Sequence, residues 1–265
     1  MEYQVRLTCK AGFSASHHYR IPEWSEEENR RQFGKAANAN GHGHNYVVEV
    51  TLQGGVDPKT GMVVNIKDLK TVVREVLAEV DHKNLNIEIP DFKRILPTPE
   101  NIAIYLWKKL ESKIPAGKLH AIRVYEDDSL WAEFSGQEAP VTLTRSYQFA
   151  AAHRLHADHL SEEENRKLYG ECSNPHGHGH NYKLEITVAA DHDIKTIDQL
   201  TRERIIDSWD HKNLDLDIPE FFGKPSTGEN IVAMIWNKLE GSLPLLSIKL
   251  AETPNSIFEY SGGKP

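Results

Sequence analysis

The sequence predicts an α+β protein built twice, each half combining a small sheet with two helices, and three observations carry that prediction. Phe13-Ser-Ala-Ser-His17 matches Phe149-Ala-Ala-Ala-His153, and Gly41-His-Gly-His-Asn-Tyr46 matches Gly177-His-Gly-His-Asn-Tyr182, both at an offset of 136 residues. Each half then reads in one order: strand, strand, helix, helix, strand, strand. The 265 residues suffice for two domains of about 130 residues, each able to bury its own core. We place these domains at 1–136 and 142–265, with 136–140 as the linker.

Residues 3–16 alternate apolar and polar side chains through Tyr3, Val5, Leu7 and Cys9, which predicts a strand ending at His17, with Cys9 in the core. Residues 21–33 are polar, and Ser25-Glu-Glu-Glu28 predicts a capping box on a short helix. Residues 45–52 form the second strand, and Gly54-Gly-Val-Asp-Pro-Lys-Thr-Gly61 turns it toward 62–66 as a hairpin extension. Leu69, Val72, Val73, Val76, Leu77 and Val80 make one apolar stripe on a long helix, which stops at Asp81-His82-Lys-Asn-Leu85. Thr98 as N-cap, Pro99 and Glu100 announce a second helix that buries Ile102, Ala103, Leu106, Trp107 and Leu110. Strands over 120–126 and 130–134 close the half around Asp127-Asp-Ser129.

The second half repeats the order, with a strand to His153, a short helix under Ser161-Glu-Glu-Glu164 and a strand over 181–188. Its long helix ends before Asp210-His211-Lys-Asn-Leu214. Ser226-Thr-Gly-Glu229 reads as another capping box, and Ile231, Val232, Ile235, Trp236 and Leu239 give the second apolar face. Strands over 247–252 and 256–260 complete it. Residues 189–198 stand where the first half spends 53–68, so the hairpin extension is missing.

Net charge is −8 with no Lys/Arg block, which argues against nucleic acid or an anionic membrane as the main partner. Two cysteines, Cys9 and Cys172, fall at unequal places and give no disulfide framework, which suits a reducing compartment. No apolar run reaches signal-peptide or membrane-span length, so the expectation is a cytoplasmic soluble protein.

On an extended strand, residues two apart project from one face, so His178 and His180 can meet one ion, with His153 on a neighbouring strand as third ligand. Three imidazoles with an open fourth position describe a catalytic Zn²⁺ site. His17, His42 and His44 repeat the set in the first half. Cys172 stands just before the second set, where the first half has Ala36. As a thiolate it is a competent base, and a nearby histidine and metal both lower a thiol pKa; Asp210-His211 offers that histidine, and the alternative is an inert buried thiol. The Asp-His pairs have their own alternative as helix C-terminal caps. His18, His156, His159, His176 and His192 are read as surface or loop residues.

Phe-x-Ala-x-His, Leu-Ser-Glu-Glu-Glu-Asn, Cys-x-Asn-Pro-x-Gly-His-Gly-His-Asn-Tyr, Asp-His-Lys-Asn-Leu and Ser-Thr-x-Glu-Asn together resemble the 6-pyruvoyltetrahydropterin synthase family over nearly all of both halves. The resemblance implies a tandem tunnelling fold (T-fold), each half a four-stranded antiparallel sheet with two helices on one face, assembling as a homo-oligomer into a barrel ring. It implies a zinc enzyme acting on 7,8-dihydroneopterin triphosphate, a lyase that eliminates triphosphate to give 6-pyruvoyltetrahydropterin. Two other readings stay open: formation of 6-carboxytetrahydropterin for deazapurine (queuosine) biosynthesis, and a pterin- and zinc-binding scaffold without turnover. By the same resemblance Cys172, Asp210 and His211, with Asp81 and His82, are catalytic, and Glu252 and Glu126 bind the substrate as pterin anchors. An Asp-His pair of this family reaches the cysteine of a neighbouring subunit. We take the two halves to alternate in the ring, since this alone gives Asp81-His82 a task in a half without a thiol.

Overall fold

The computed structural model describes residues 3–190 and 193–263. The chain divides into two compact units, Met1–Leu143 and Thr144–Pro265. The first contains β1 (Gln4–His17), α1 (Glu26–Phe33), β2 (His42–Gly55), α2 (Ile66–Leu77), β3 (Lys83–Asn84), α3 (Leu85–Glu88), α4 (Pro99–Leu110), β4 (Lys118–Asp127) and β5 (Leu130–Phe134). Its strands lie in the order β5-β4-β2-β1-β3. The four long strands are antiparallel, and the two-residue β3 pairs parallel to β1.

Alternation decides which side of this sheet is dry. Tyr46, Val48, Val50 and Leu52 of β2 are buried, as are Ile122 and Val124 of β4. Against them pack Leu69, Val73, Val76 and Leu77 of α2 and Ile102, Ala103, Leu106 and Leu110 of α4, in one apolar cluster that includes Cys9 and Phe13. Both helices therefore cover one face, while Val72 and Trp107 sit at the rim of the cluster. Ser25 caps α1 through a complete capping box.

The second unit contains β6 (Thr142–His153), α5 (Glu162–Tyr169), β7 (His178–Ala189), α6 (Ile194–Thr201), α7 (Asp207–Trp209), β8 (Lys212–Asn213), α8 (Leu214–Asp217), α9 (Gly228–Leu239), β9 (Leu245–Thr253) and β10 (Ser256–Tyr260). The order β10-β9-β7-β6, with β8 parallel to β6, repeats the first sheet. A capping box at Ser161 again starts the short helix.

Several expectations need correction. Residues 62–66 form no strand: Asp57 N–H bonds Met62 O at 3.0 Å, and the chain runs straight into the Asn65 cap of α2. The cap of α9 is Thr227, whose hydroxyl receives Asn230 N–H, and Ser226 lies buried beside His153 instead. Thr98 holds the N-cap position of α4 without a side-chain cap bond. The long helix of the second unit is interrupted by a π-helical turn over Arg202–Ile206. His192 lies outside the described residues. No helix among the described residues is long and apolar enough to cross a membrane.

Candidate active site

Strand register builds each histidine cluster. His17, the last residue of β1, pairs directly with His42, the first of β2, and His44 follows on the same face, opposite Ala15. The ligand nitrogens of His17, His42 and His44 lie within 4.8 Å of one another, and so do those of His153, His178 and His180. Glycines let the strands approach this closely. A Cβ at Gly179 would stand 3.1 Å from Ala151 O, and Gly177, at φ +70°, would put one 2.9 Å from His153 O. Beneath the clusters Phe13 stacks on Tyr46 at 4.7 Å and Phe149 on Tyr182 at 5.0 Å, which explains the flanking aromatics of both motifs.

These sets fit a metal. His153 Nδ1 donates to Ser226 O at 2.9 Å, which leaves Nε2 as a bare lone pair 3.1 Å from His178 Nε2. Ligands on a tetrahedral ion with bonds of about 2.0–2.1 Å stand at a closely similar separation, about 3.3 Å. His17 Nδ1 bonds Pro97 O at 3.1 Å in the same way. His44 Nε2 is a buried nitrogen with no hydrogen-bond partner, an arrangement that a bound cation would relieve. Burial holds the rings neutral and ready to ligate: His17 is pushed down to about 3, and His42, His44, His178 and His180 are lowered for the same reason.

Each cluster also has a carboxylate. Glu126 stands 3.6 Å from His44 Nε2 and 3.9 Å from His17 Nε2; Glu252 stands 3.6 Å from His153 Nε2 and 3.8 Å from His180 Nε2. Such contact with the imidazoles differs from the ring-anchor task that the resemblance implied, since a carboxylate this close meets whatever group approaches the metal. Beside His180 and Glu252 a cavity of about 560 Å³ opens, lined also by Lys183, Ala251 and Pro254.

Cys172 lies in a 3₁₀ turn over Gly170–Ser173, and its carbonyl receives Leu155 N–H at 2.9 Å, which ties the turn to the chain two residues past His153. The thiol is free and partly exposed. The Asp-His pairs are held by backbone bonds to the first strand of each unit. Asp210 Oδ1 accepts Ala150 N–H at 2.8 Å, Oδ2 lies 2.9 Å from His211 Nδ1, and the imidazole is 82% exposed. Asp81 accepts Ser14 N–H at 2.8 Å and holds His82 in the same geometry. These backbone bonds depress both carboxyls. Both histidines adopt positive φ, 56° and 58°, rare for residues with a side chain. His211 and His180 line one shallow cavity of about 500 Å³.

Three features escape sequence reasoning. Asn165 is fully buried and ties the loop after His153 together through Ala157 N–H and the carbonyls of Ala157, Leu160 and Ser161; Asn29 does the same in the first half. The signal was the Asn that closes the Ser-Glu-Glu-Glu-Asn motif. Tyr19 is buried and donates its hydroxyl to Glu126. Glu100 and Glu229, read as helix-start carboxylates, form no capping box because each lies only two residues past its N-cap. Glu100 Oε2 is buried without a partner, and burial raises its carboxyl.

Paired α+β repeats that each gather three histidines at the end of a two-strand ladder define a class of metal-site T-fold proteins. The model of the 6-pyruvoyl tetrahydropterin synthase family matches residues 6–137 and again 142–263, and the chain belongs to that family, a family of lyases, as two tandem copies. Human 6-pyruvoyl tetrahydrobiopterin synthase is 43% identical over 135 residues, 51% of this chain and 93% of that protein. A dihydroneopterin monophosphate aldolase of Pyrococcus furiosus is 32% identical over 131 residues, 49% of this chain and 96% of that protein. The solved Caenorhabditis elegans 6-pyruvoyl tetrahydropterin synthase, 38% identical, covers 51% of this chain and 98% of its own, with a TM-score of 0.49.

Proposed function

We propose that the second half is a zinc-dependent lyase site that converts 7,8-dihydroneopterin triphosphate to 6-pyruvoyltetrahydropterin, with Cys172 as the base. The observation that carries this reading is an open His153-His178-His180 cluster with a carboxylate at Glu252, and a free thiol in the turn whose backbone bonds the chain two residues past His153. Zinc held by the three imidazoles supplies Lewis acidity toward the hydroxyl oxygens of the polyol side chain. Cys172, as thiolate, takes the proton from the side-chain carbon next to the ring; the electron pair passes into the ring C6=N5 bond, which gains hydrogen at N5 and C6 as that carbinol becomes a ketone. Loss of the next carbon's proton then breaks the carbon–oxygen bond to triphosphate, its pair leaving on oxygen and the resulting enol becoming the second ketone. Glu252 orients the side-chain hydroxyls by accepting from them.

The amino-pyrimidinone edge of the ring needs a carboxylate farther from the cluster. Glu229, exposed at the start of α9 and three residues past the Ser226 carbonyl that orients His153, supplies it. An exposed Asp-His pair from a neighbouring subunit assists the thiol, because Asp210 and Asp81 hold their histidines outward. The halves occupy the cytoplasm as a ring of identical chains, with no role for nucleic acid or membrane.

Incubating the protein with 7,8-dihydroneopterin triphosphate and identifying the product by mass tests the reading. 6-Pyruvoyltetrahydropterin with released triphosphate is expected; a 6-carboxy product, or unchanged substrate, would sink it. Glu229→Ala is expected to raise KM more than it lowers kcat.

A further inference from the structure

We propose that Tyr19 seals the first-half site against a pterin, so that each chain carries two metal-binding triads but a single pterin site, in the second half. The proposal rests on the pterin reading above and adds the reason why the two sites differ.

Tyr19 and Leu155 are counterparts. Each lies two residues past its first cluster histidine, and each donates its backbone N–H at 2.9 Å to the carbonyl at the thiol position, Ala36 or Cys172. With the backbones held alike, only the side chains differ. The Tyr19 ring meets His17 edge-on with centroids 4.9 Å apart, is backed by Phe33 at 6.2 Å, and is only 5% exposed. Its hydroxyl donates to Glu126 Oε2, and Glu126 in turn touches the imidazoles of His17 and His44.

The phenol thus occupies the position that a substrate hydroxyl must reach to meet carboxylate and histidines together. A pterin entering here would have to expel a buried aromatic ring and break its bond to a buried carboxylate before making any contact of its own. In the second half Leu155 offers no hydroxyl, Glu252 keeps its partial exposure, and the 560 Å³ cavity opens beside it. Sealing and the absence of a thiol agree, since Ala36 leaves a pterin in the first half with no base to react with.

Binding of 7,8-dihydroneopterin, which carries no triphosphate to eliminate, is to be counted by calorimetry on the zinc-loaded chain. One pterin per chain is expected in the wild type. Tyr19→Leu, which copies the second half, is expected to double that count with zinc content unchanged. A His178→Ala, His180→Ala double variant is expected to bind none, and the His42→Ala, His44→Ala variant is expected to keep one. Two pterins in the wild type, a folded Tyr19→Leu chain still holding one, or pterin lost with the first-half histidines and kept without the second would each overturn the proposal. If Tyr19→Leu fails to fold, the two double variants still decide. No pterin bound by any form rejects the function proposed above, and with it this inference.

Discussion

A histidine withdrawn from water as fully as His17 titrates near 3 rather than at the 6.5 of a free imidazole. Its folded pKa lies below its unfolded one, so between these values the unfolded chain binds the extra proton and stability falls as pH drops through that window. The metal-free protein is therefore expected to weaken from about pH 6.5 downward, by at most about 1.4 kcal/mol per pH unit from this group. His17→Gln should flatten the slope in a series of denaturation curves across that range, and an unchanged slope would refute the assignment. At Cys172 the proposed base and the metal are separable, because the thiol is not among the clustered ligands. Cys172→Ala is expected to lower kcat by about 10² to 10⁴ while zinc stays bound. Wild-type turnover in that variant would remove the thiol from the mechanism. The gathering of the cluster histidines was legible in the sequence because the i, i+2 spacing of a strand fixes which side chains share a face. Tyr19 was not legible, since a lone aromatic in a polar stretch says nothing of which buried carboxylate it meets, and the closeness of Glu252 to the imidazoles depends on pairing between β7 and β9.

The two long helices show how an element absorbs a change in length. Leu69 and Val73 have their buried counterparts 128 residues on, at Ile197 and Thr201, whereas Val76, Leu77 and Val80 have theirs 129 on, at Ile205, Ile206 and Trp209. The second helix therefore holds one extra residue between Thr201 and Ile205. The π turn over Arg202–Ile206 takes it up, so that the apolar stripe faces the sheet on both sides of the turn. Deleting the exposed Glu203 is expected to convert the turn to regular α-helix and leave Tm within about 4 °C, the equivalent of about 1 kcal/mol for a unit of this size. A larger fall would show that the turn is needed for more than length. This device is invisible to a search for helical spacing, because the apolar pattern remains intact on either side of it. Capping was misread for a related reason. Ser226-Thr-Gly-Glu229 satisfies the capping-box spacing, yet the helix starts one residue later and Ser226 is buried against His153, so tertiary packing overrides the local signal.

At the scale of the whole chain, two sets of three histidines predict about two zinc ions per chain by metal analysis, falling to about one in the His42→Ala, His44→Ala variant. Zinc content unaffected by that change would remove the first site. The exposed Asp-His pairs allow a comparison between halves: His82→Ala is expected to lower kcat more than His211→Ala if the halves alternate in a ring as the sequence reading has it, since that arrangement would bring Asp81-His82 to the thiol of a neighbour. A dead His211→Ala beside an active His82→Ala rejects alternation. The repeat made the tandem architecture readable before any element was assigned, whereas contacts with other chains leave no spacing signal in one sequence. The left-handed backbone at His82 and His211 has a consequence for how this protein would respond to selection. Glycine would relax each position by about 1–2 kcal/mol. A library screened for heat resistance alone should therefore drift toward glycine at 82 and 211, and its hardiest members should be the ones that have stopped working.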